Sequence, residues 1–301
     1  MFLVSFTKPE VNESRQSCIG LLDPSTREVV DLSQADPDLP SNMLSLIALG
    51  DAAFPTMENA LHSGQARLPL ADINLLAPIP IPVRNIFCVG KNYRDHVKEV
   101  LSIVASKSDI QGDVPTAPII FTKAPSSVIG PLEPIPSWLD DTNSVDYEGE
   151  LAVIVGNGGR RISSAEAMNH VYGYTILNDI TSRRIQKKHQ QWFLGKSLDG
   201  FCPMGPCLVT KDEINNVGDL RVQTYINGEL RQDGYVREMI FDIPSLIETL
   251  SKGMTLQPGD IIATGTPAGV GMGFKPPKFL NHGDTVSITI EPIGTLDNPV
   301  E

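Results

Sequence analysis

Between residues 145 and 156 the chain reads VDYEGELAVIVG, which places Asp146, Glu148 and Glu150 at alternate positions. Side chains along a strand alternate faces with a period of two, so these three carboxylates share one face. Tyr147 and Leu151 take the other, and Ala152-Val153-Ile154-Val155 carries the strand into a core. Like charges about 7 Å apart on one face of a half-buried strand repel each other. A hard divalent cation such as Mg2+ takes carboxylate oxygens and would relieve that repulsion. An edge strand with its acids in water is the alternative for the segment taken alone.

Asn178-Asp179-Ile180-Thr181 ends the strand-like GYTILN and opens the helix-like SRRIQKKHQQW. An Asp at such a junction is commonly a helix N-cap. Beside Glu148 and Glu150, Asp179 would instead close an all-oxygen site, with water or substrate completing the shell. Arg183 and Gln186 follow Asp179 at spacings that put all three on one helical face. Lys196 lies in the apolar, turn-rich WFLGKSLDGFCPMGP, where a bare ammonium needs a partner. In GKNYRDHVKE, His96 and Glu99 are three residues apart, so on a helix the carboxylate can orient the imidazole as a base. A solvated helix pair is the commoner outcome of that spacing. Residues 101–115 are polar enough for a mobile loop, and a dyad beside a lid fits there.

The turn TGTPAGVG at 264–271 follows the strand-like DIIA and exposes backbone N–H groups that can hold an anion. It has no Gly-Lys-Ser/Thr ending and no βαβ context, which argues against a nucleotide P-loop. A carboxylate-binding turn with the Thr266 hydroxyl is one reading, and a structural turn is the other. His62, His170, His189 and His282 have no ligand spacing. Cys18, Cys88, Cys202 and Cys207 lack CxxC spacing and read as small buried hydrophobes in a reducing compartment, the last two flanking a Pro-Met-Gly-Pro turn.

The elements that must position these residues are mostly strands. Residues 1–76 form a small N-terminal unit, with strands at FLVSF, CIGLLD and EVVDL and one or two helices over 41–63. The alternating prolines of 77–83 make an extended linker. In the main body, 84–301, the patterning predicts strands over 85–89, 118–121, 145–155, 173–177, 220–226, 260–263 and 285–290. Helices are predicted over 164–170, 183–191 and 243–251. Strands outnumber helices without a βαβ rhythm, which favours a mostly-β α+β domain over a doubly wound sheet. With 301 residues, 41% of them hydrophobic and 20% charged, the chain can bury a substantial core. A net charge of −12 argues against nucleic-acid and anionic-membrane partners. The strand-like N-terminus lacks signal- and transit-peptide patterns, so the expected location is cytoplasmic, with an organelle as the alternative.

Taken in order, VGKNYRDHVKE, PIIFTKAPSSVIGP, VDYEGELAVIVG, NDITSRRIQ, WFLGKSLDGFCPMGP, NGELRQDG, PGDIIATGTPAGVG and FLNHGDTV resemble the fumarylacetoacetate hydrolase superfamily over residues 85 to about 290. The N-terminal unit and GFKPPKFL are similar to the branch that includes the oxaloacetate tautomerases. The resemblance implies a mixed β-roll catalytic fold, a homodimer, and Mg2+ or Mn2+, with Ca2+ able to replace it in crystals. It implies Glu148, Glu150 and Asp179 as metal ligands and His96 with Glu99 as the dyad. It also implies Arg183, Gln186, Lys196 and Thr266 as contacts to substrate carboxylate and carbonyl. Arg184 stands where many relatives carry Asp, which weakens substrate inference by analogy.

The implied chemistry acts on a small-molecule 2-oxo acid or 1,3-dicarbonyl whose enolate a cation stabilises. The first expectation is a metal-dependent C–C hydrolase of acylpyruvate or fumarylpyruvate type. In it His96, held by Glu99, deprotonates water, and Lys196 stabilises charge on a substrate oxygen. The second is an oxaloacetate keto–enol tautomerase or decarboxylase using the same site without water attack. A non-catalytic binding protein that kept the fold is a third, and the full set of carboxylates and the intact dyad speak against it.

Overall fold

The computed structural model describes residues 1–9, 17–104 and 114–301. The apolar run FLVSF, buried on both faces, forms β1 (Phe2–Thr7), which pairs antiparallel with β2 (Cys18–Asp23), and β2 turns back into β3 (Glu28–Asp31). Asp31 caps the short helix α1 (Leu32–Ala35), accepting from the Ser33 and Gln34 N–H groups. Helices α2 (Met43–Leu49), capped by the Asn42 side chain, and α3 (Phe54–His62) occupy the region predicted helical. Their Met43, Leu46, Ile47 and Met57 pack in one core with Leu3, Ile19 and Val30 of the sheet. β4 (Arg67–Pro69) and β5 (Asn74–Leu76) return to pair with β3 and β1.

Beyond the proline-rich segment come β6 (Ile86–Gly90), α4 (Arg94–Val104), β7 (Ile119–Lys123), β8 (Val128–Ile129), β9 (Val145–Asp146) and β10 (Gly149–Val155). Next are β11 (Val171–Asn178), β12 (Thr181–Ser182), α5 (Arg183–His189), α6 (Phe193–Lys196) and β13 (Cys202–Thr210). The chain closes with β14 (Arg221–Ile226), β15 (Glu229–Tyr235), α7 (Ile243–Ser251), β16 (Ile261–Ala263), β17 (Thr285–Ile290) and β18 (Gly294–Pro299). The main sheet runs β4-β3-β2-β1-β13-β11-β10-β16-β6-β7, with β5 added to β1 and β8 to β13. A second sheet runs β15-β14-β17-β18, and β9 pairs with β12. Among the described pairings between named strands, only β6–β16 and β8–β13 are parallel. Val153, Val155 and Ile176 of the main sheet share a core with Val222, Val286 and Ile288 of the second. Among the described residues no helix is long and apolar enough to cross a membrane.

Four expectations need correction. Asp179 does not open a helix: β12 (Thr181–Ser182) follows it and α5 begins only at Arg183, with Ser182 at the N-cap, so Asp179 lies outside the helical face of Arg183 and Gln186. The strand predicted over 145–155 is broken at Tyr147–Glu148, because the Tyr147 N–H turns to Asp146 Oδ1 and the Glu148 N–H to Asn178 Oδ1. The predicted helix 164–170 is a single 3₁₀ turn, Ala167–His170, without a side-chain N-cap. The Pro-Met-Gly-Pro turn lies inside β13, a central strand of nine residues. Its prolines are tolerated where the β11–β13 ladder shifts register between Tyr174 and Ile176. Cys88, Cys202 and Cys207 are buried thiols, and burial pushes Cys202 and Cys207 up to about 12. The N-terminal strands continue the main sheet, since Phe2 and Leu3 of β1 pair with Val209 and Leu208 of β13.

Candidate active site

The acidic residues meet where β10 begins and β11 ends. The Glu148 N–H donates to Asn178 Oδ1 at 3.1 Å, and the Asp179 N–H donates to the Glu148 carbonyl at 2.9 Å. These bonds tie the two segments so that Glu148, Glu150 and Asp179 each offer an oxygen within 4.8 Å of the others, all three buried. Asp146, expected on the same face, stands apart. It accepts from the Gly271 and Met272 N–H groups at 2.7 and 3.0 Å and from Arg183 Nε at 2.8 Å.

Three cations surround the cluster. Lys196 Nζ bridges Glu148 Oε2 at 2.8 Å and Asp179 Oδ2 at 2.6 Å. Arg183 Nη1 pairs with Glu148 Oε1 at 2.7 Å. Lys123 Nζ, fully buried, pairs with Asp179 Oδ1 at 2.7 Å and also donates to the Ile180 and Lys196 carbonyls. Burial opposes ionisation of Glu148, but Lys196 and Arg183 outweigh it and hold the carboxyl well below the usual range. Glu150 is the opposite case. Burial, Asp179 and Glu148 push its carboxyl well up, against one hydrogen bond from the Gly265 N–H at 2.8 Å. Burial works against the Lys196 ammonium, yet Asp179 and Glu148 raise its pKa and keep it charged.

Four carboxylates therefore face three cations, and Glu150 has no ion pair among the described residues. That donor set fits a hard divalent cation. The ligands are all carboxylate oxygens, each oxygen keeps a lone pair beyond its existing bond, and ionised Glu150 would carry a negative charge that no described side chain pairs.

His96 and Glu99 lie one turn apart on α4. His96 Nδ1 is 3.1 Å from Glu99 Oε2, and Glu99 also accepts from the Gly269 N–H at 3.0 Å. Tyr147 donates from its hydroxyl to the Gly269 carbonyl at 2.9 Å, so one residue of the glycine-rich turn is held from both sides. His96, Gln186 and Thr266 line a cavity of about 730 Å³ whose floor includes Glu148 and Glu150. Phe121, Trp192 and Phe279 give it an apolar wall. Lys196 Nζ stands 5.0 Å over the Phe121 ring, which meets Trp192 edge-on at 5.2 Å.

Thr266 is already engaged. Its hydroxyl donates to the Gly149 carbonyl at 2.9 Å and accepts from Gln232 Nε2 at 2.7 Å. Gln232 Oε1 in turn accepts from the Gly149 N–H at 2.9 Å. Of the region expected as a lid, 101–104 is helical in α4 and 105–113 lies outside the described residues. Arg184, exposed on α5, donates from Nη1 to the Thr142 carbonyl at 2.5 Å.

Sequence reasoning did not single out Lys123, Asn178 or Gln232. Lys123 ends the apolar run PIIFTK, and the argument that drew attention to Lys196, an ammonium in apolar surroundings, applies to it equally.

Residues 85–301 match the sequence profile of the family described as fumarylacetoacetate (FAA) hydrolase C-terminal. The chain belongs to the fumarylacetoacetate hydrolase family. It is 49% identical over 288 residues to the oxaloacetate tautomerase YisK of Bacillus subtilis (strain 168), covering 91% of this chain and 93% of that protein. It is 41% identical over 302 residues to the mitochondrial oxaloacetate tautomerase fahd2 of Xenopus laevis, covering 100% of this chain and 90% of that one. Among solved structures, maleylpyruvate hydrolase from Sphingobium sp. SYK-6, in complex with manganese(II) and pyruvate, is similar with a TM-score of 0.78 at 32% identity. That match covers 100% of this chain and 98% of the hydrolase. The mostly-β mixed fold expected from the sequence is that of this enzyme family.

Proposed function

We propose that this member of the fumarylacetoacetate hydrolase family is a divalent-metal-dependent oxaloacetate keto–enol tautomerase. The observation that carries the reading is similarity over nearly the whole chain to two oxaloacetate tautomerases, one bacterial and one mitochondrial. It reverses the order expected from the motifs alone, which put hydrolysis first.

Mg2+ or Mn2+ held by Glu148, Glu150 and Asp179 would supply Lewis-acid polarisation of the 2-oxo group and lower the acidity barrier at C3. The remaining roles belong to side chains. Glu99 accepts from the Nδ1–H of His96, the tautomer that this pairing favours, and leaves Nε2 as the base. His96 takes the C3 proton while the C–H electron pair moves toward the C2 oxygen. Lys196 brings positive charge to that oxygen and a proton to complete the enol. Arg183 and Gln186 orient the C1 carboxylate, and Thr266 with Gln232 fixes the turn beside it. Phe121, Trp192 and Phe279 exclude bulk water, so the enol is returned or released without attack. Residues 84–301 carry the chemistry in this reading, with 1–76 as the smaller unit and 77–83 as the connection.

A metal-dependent C–C hydrolase of acylpyruvate or fumarylpyruvate type is the second reading. It is favoured by the manganese- and pyruvate-bound maleylpyruvate hydrolase and by a dyad equally suited to activating water. The two are separated by following enol absorbance of oxaloacetate and of acylpyruvates with purified protein and Mg2+. Rapid enol–keto equilibration of oxaloacetate without pyruvate release supports the tautomerase. Cleavage of an acylpyruvate, with no acceleration of oxaloacetate equilibration, overturns it. A cytoplasmic location accords with the bacterial relative, and the amphibian one makes the mitochondrion the second option.

A further inference from the structure

The mouth of the cavity carries charge that the reaction centre does not use. Lys91, Arg184 and Lys187 line it, and the acids among its lining residues are Glu148 and Glu150, both buried at the floor and matched to Arg183, Lys196 and the candidate metal. In a chain of net charge −12, a rim with three cations and, among the described residues, no acid is a local reversal of sign. Arg184 and Lys187 are three residues apart on α5, so they neighbour each other on one helical face. The last turn of α5 also holds Lys188 and His189, which complement the helix dipole without lining the cavity. Lys187 therefore does something those two do not.

The geometry also fixes a distance scale. Arg183, the residue before Arg184, is anchored at 2.7 Å to Glu148 on the floor. Lys187 lies four residues farther, about 6 Å along the helix axis. A substrate whose reacting end sits at Glu148 and Arg183 shares its cavity with Arg184 and Lys187, which line it too. Arg184 is steadied there by the Thr142 carbonyl, and its backbone N–H is held by Ser144 Oγ at 3.0 Å.

We propose that Arg184 and Lys187, with Lys91 across the mouth, form a second anion subsite that selects 2-oxo acids bearing a distal carboxylate. The inference rests on the tautomerase reading for its substrate and assigns recognition of the distal carboxylate to the rim, with Arg184 as the residue that sets the preference. A monoanionic 2-oxo acid would use the floor and leave the rim unpaired. The rim is solvated, so its contribution is modest and screened by salt.

The test compares wild type with Arg184→Gln/Lys187→Gln and Arg184→Glu/Lys187→Glu in the presence of Mg2+. The first readout is the ratio of kcat/KM for tautomerisation of oxaloacetate to that of phenylpyruvate. The second, independent of turnover, is the calorimetric affinity ratio of malate to lactate. Both ratios should fall by about fivefold in the Gln variant and further in the Glu variant, with the wild-type ratios shrinking at high salt. A wild type that prefers malate yet never equilibrates oxaloacetate overturns the tautomerase reading while supporting the subsite. An affinity ratio unchanged by either double substitution overturns the subsite, whatever the turnover.

Discussion

His96 and Glu150 are where single side chains decide chemistry. His96 is presented by α4, but its role depends on Glu99, which Gly269 anchors from another part of the chain. His96→Asn should lower turnover by about 10²–10⁴-fold while Mg2+ affinity stays near wild type. Glu99→Gln should lose less, because it orients the base and does not take the proton. Kinetics with metal content checked in each variant test this, and a fully active His96→Asn protein would remove the dyad from the mechanism. Glu150 is the carboxylate without a cation, its pKa raised by burial, Asp179 and Glu148. In metal-free protein its folded pKa lies above its unfolded one. The stability it contributes is therefore complete below the ordinary carboxylate range and is lost as pH rises through the folded value. Glu150→Gln should flatten that decline and abolish the rise in melting temperature on adding Mg2+, which at 100 times Kd corresponds to about 2.7 kcal/mol. Differential scanning fluorimetry across pH, with and without metal, reads both effects.

At the scale of elements, the site depends on turns that are locked by distant strands. The 264–271 turn receives Glu99 and Tyr147 at Gly269, Glu150 at Gly265 and Asp146 at Gly271. Gly269 has φ +107°, and an added Cβ would lie 1.9 Å from the Arg231 carbonyl oxygen. Gly269→Ala should therefore destabilise the fold by at least about 2 kcal/mol and reduce turnover more than Glu99→Gln, since it displaces the anchor and the turn together. Urea denaturation beside kinetics checks the ordering. Lys123, at the end of β7, fills a comparable role for Asp179. Lys123→Met leaves part of a buried carboxylate uncompensated and should cost about 3 kcal/mol in metal-free protein. Divalent metal should recover part of that loss, because it supplies the missing positive charge; a variant as stable as wild type without metal would show the pair to be dispensable.

For the whole molecule, the continuous main sheet is the governing feature. β1 joins β13, so the N-terminal strands and the strands that carry the acids belong to one ladder. Calorimetry should accordingly give one cooperative transition for the full chain. Leu3→Ala, at a fully buried position of β1, should lower the whole transition by about 2–5 kcal/mol and not melt a separate part. Two resolved transitions would show that the β1–β13 ladder does not couple the units. The homodimer implied by the family resemblance is tested by sedimentation, which should return twice the 32.7 kDa chain mass.

What the sequence determined by itself is local. The alternation that brings Glu148 and Glu150 to one face and the one-turn spacing of His96 and Glu99 follow from periods of two and 3.6 residues. So do most strands, because β-branched runs bounded by Gly-Asp turns are readable in isolation. Tertiary structure decided the rest. Lys123 reaches Asp179 across 56 residues, and Gln232 reaches Gly149 across 83. The apolar run before Lys123 marks an ammonium that needs a partner, but no local pattern names the partner, since burial and chain crossing create the pairing. Asp146 shares its alternation with the other two acids, yet the break at Tyr147–Glu148 hands it to Arg183 and the 271–272 backbone. β13 was hidden for a related reason. Its prolines signal a turn when only local propensity is counted, whereas pairing on both sides with β1 and β11 holds the segment extended.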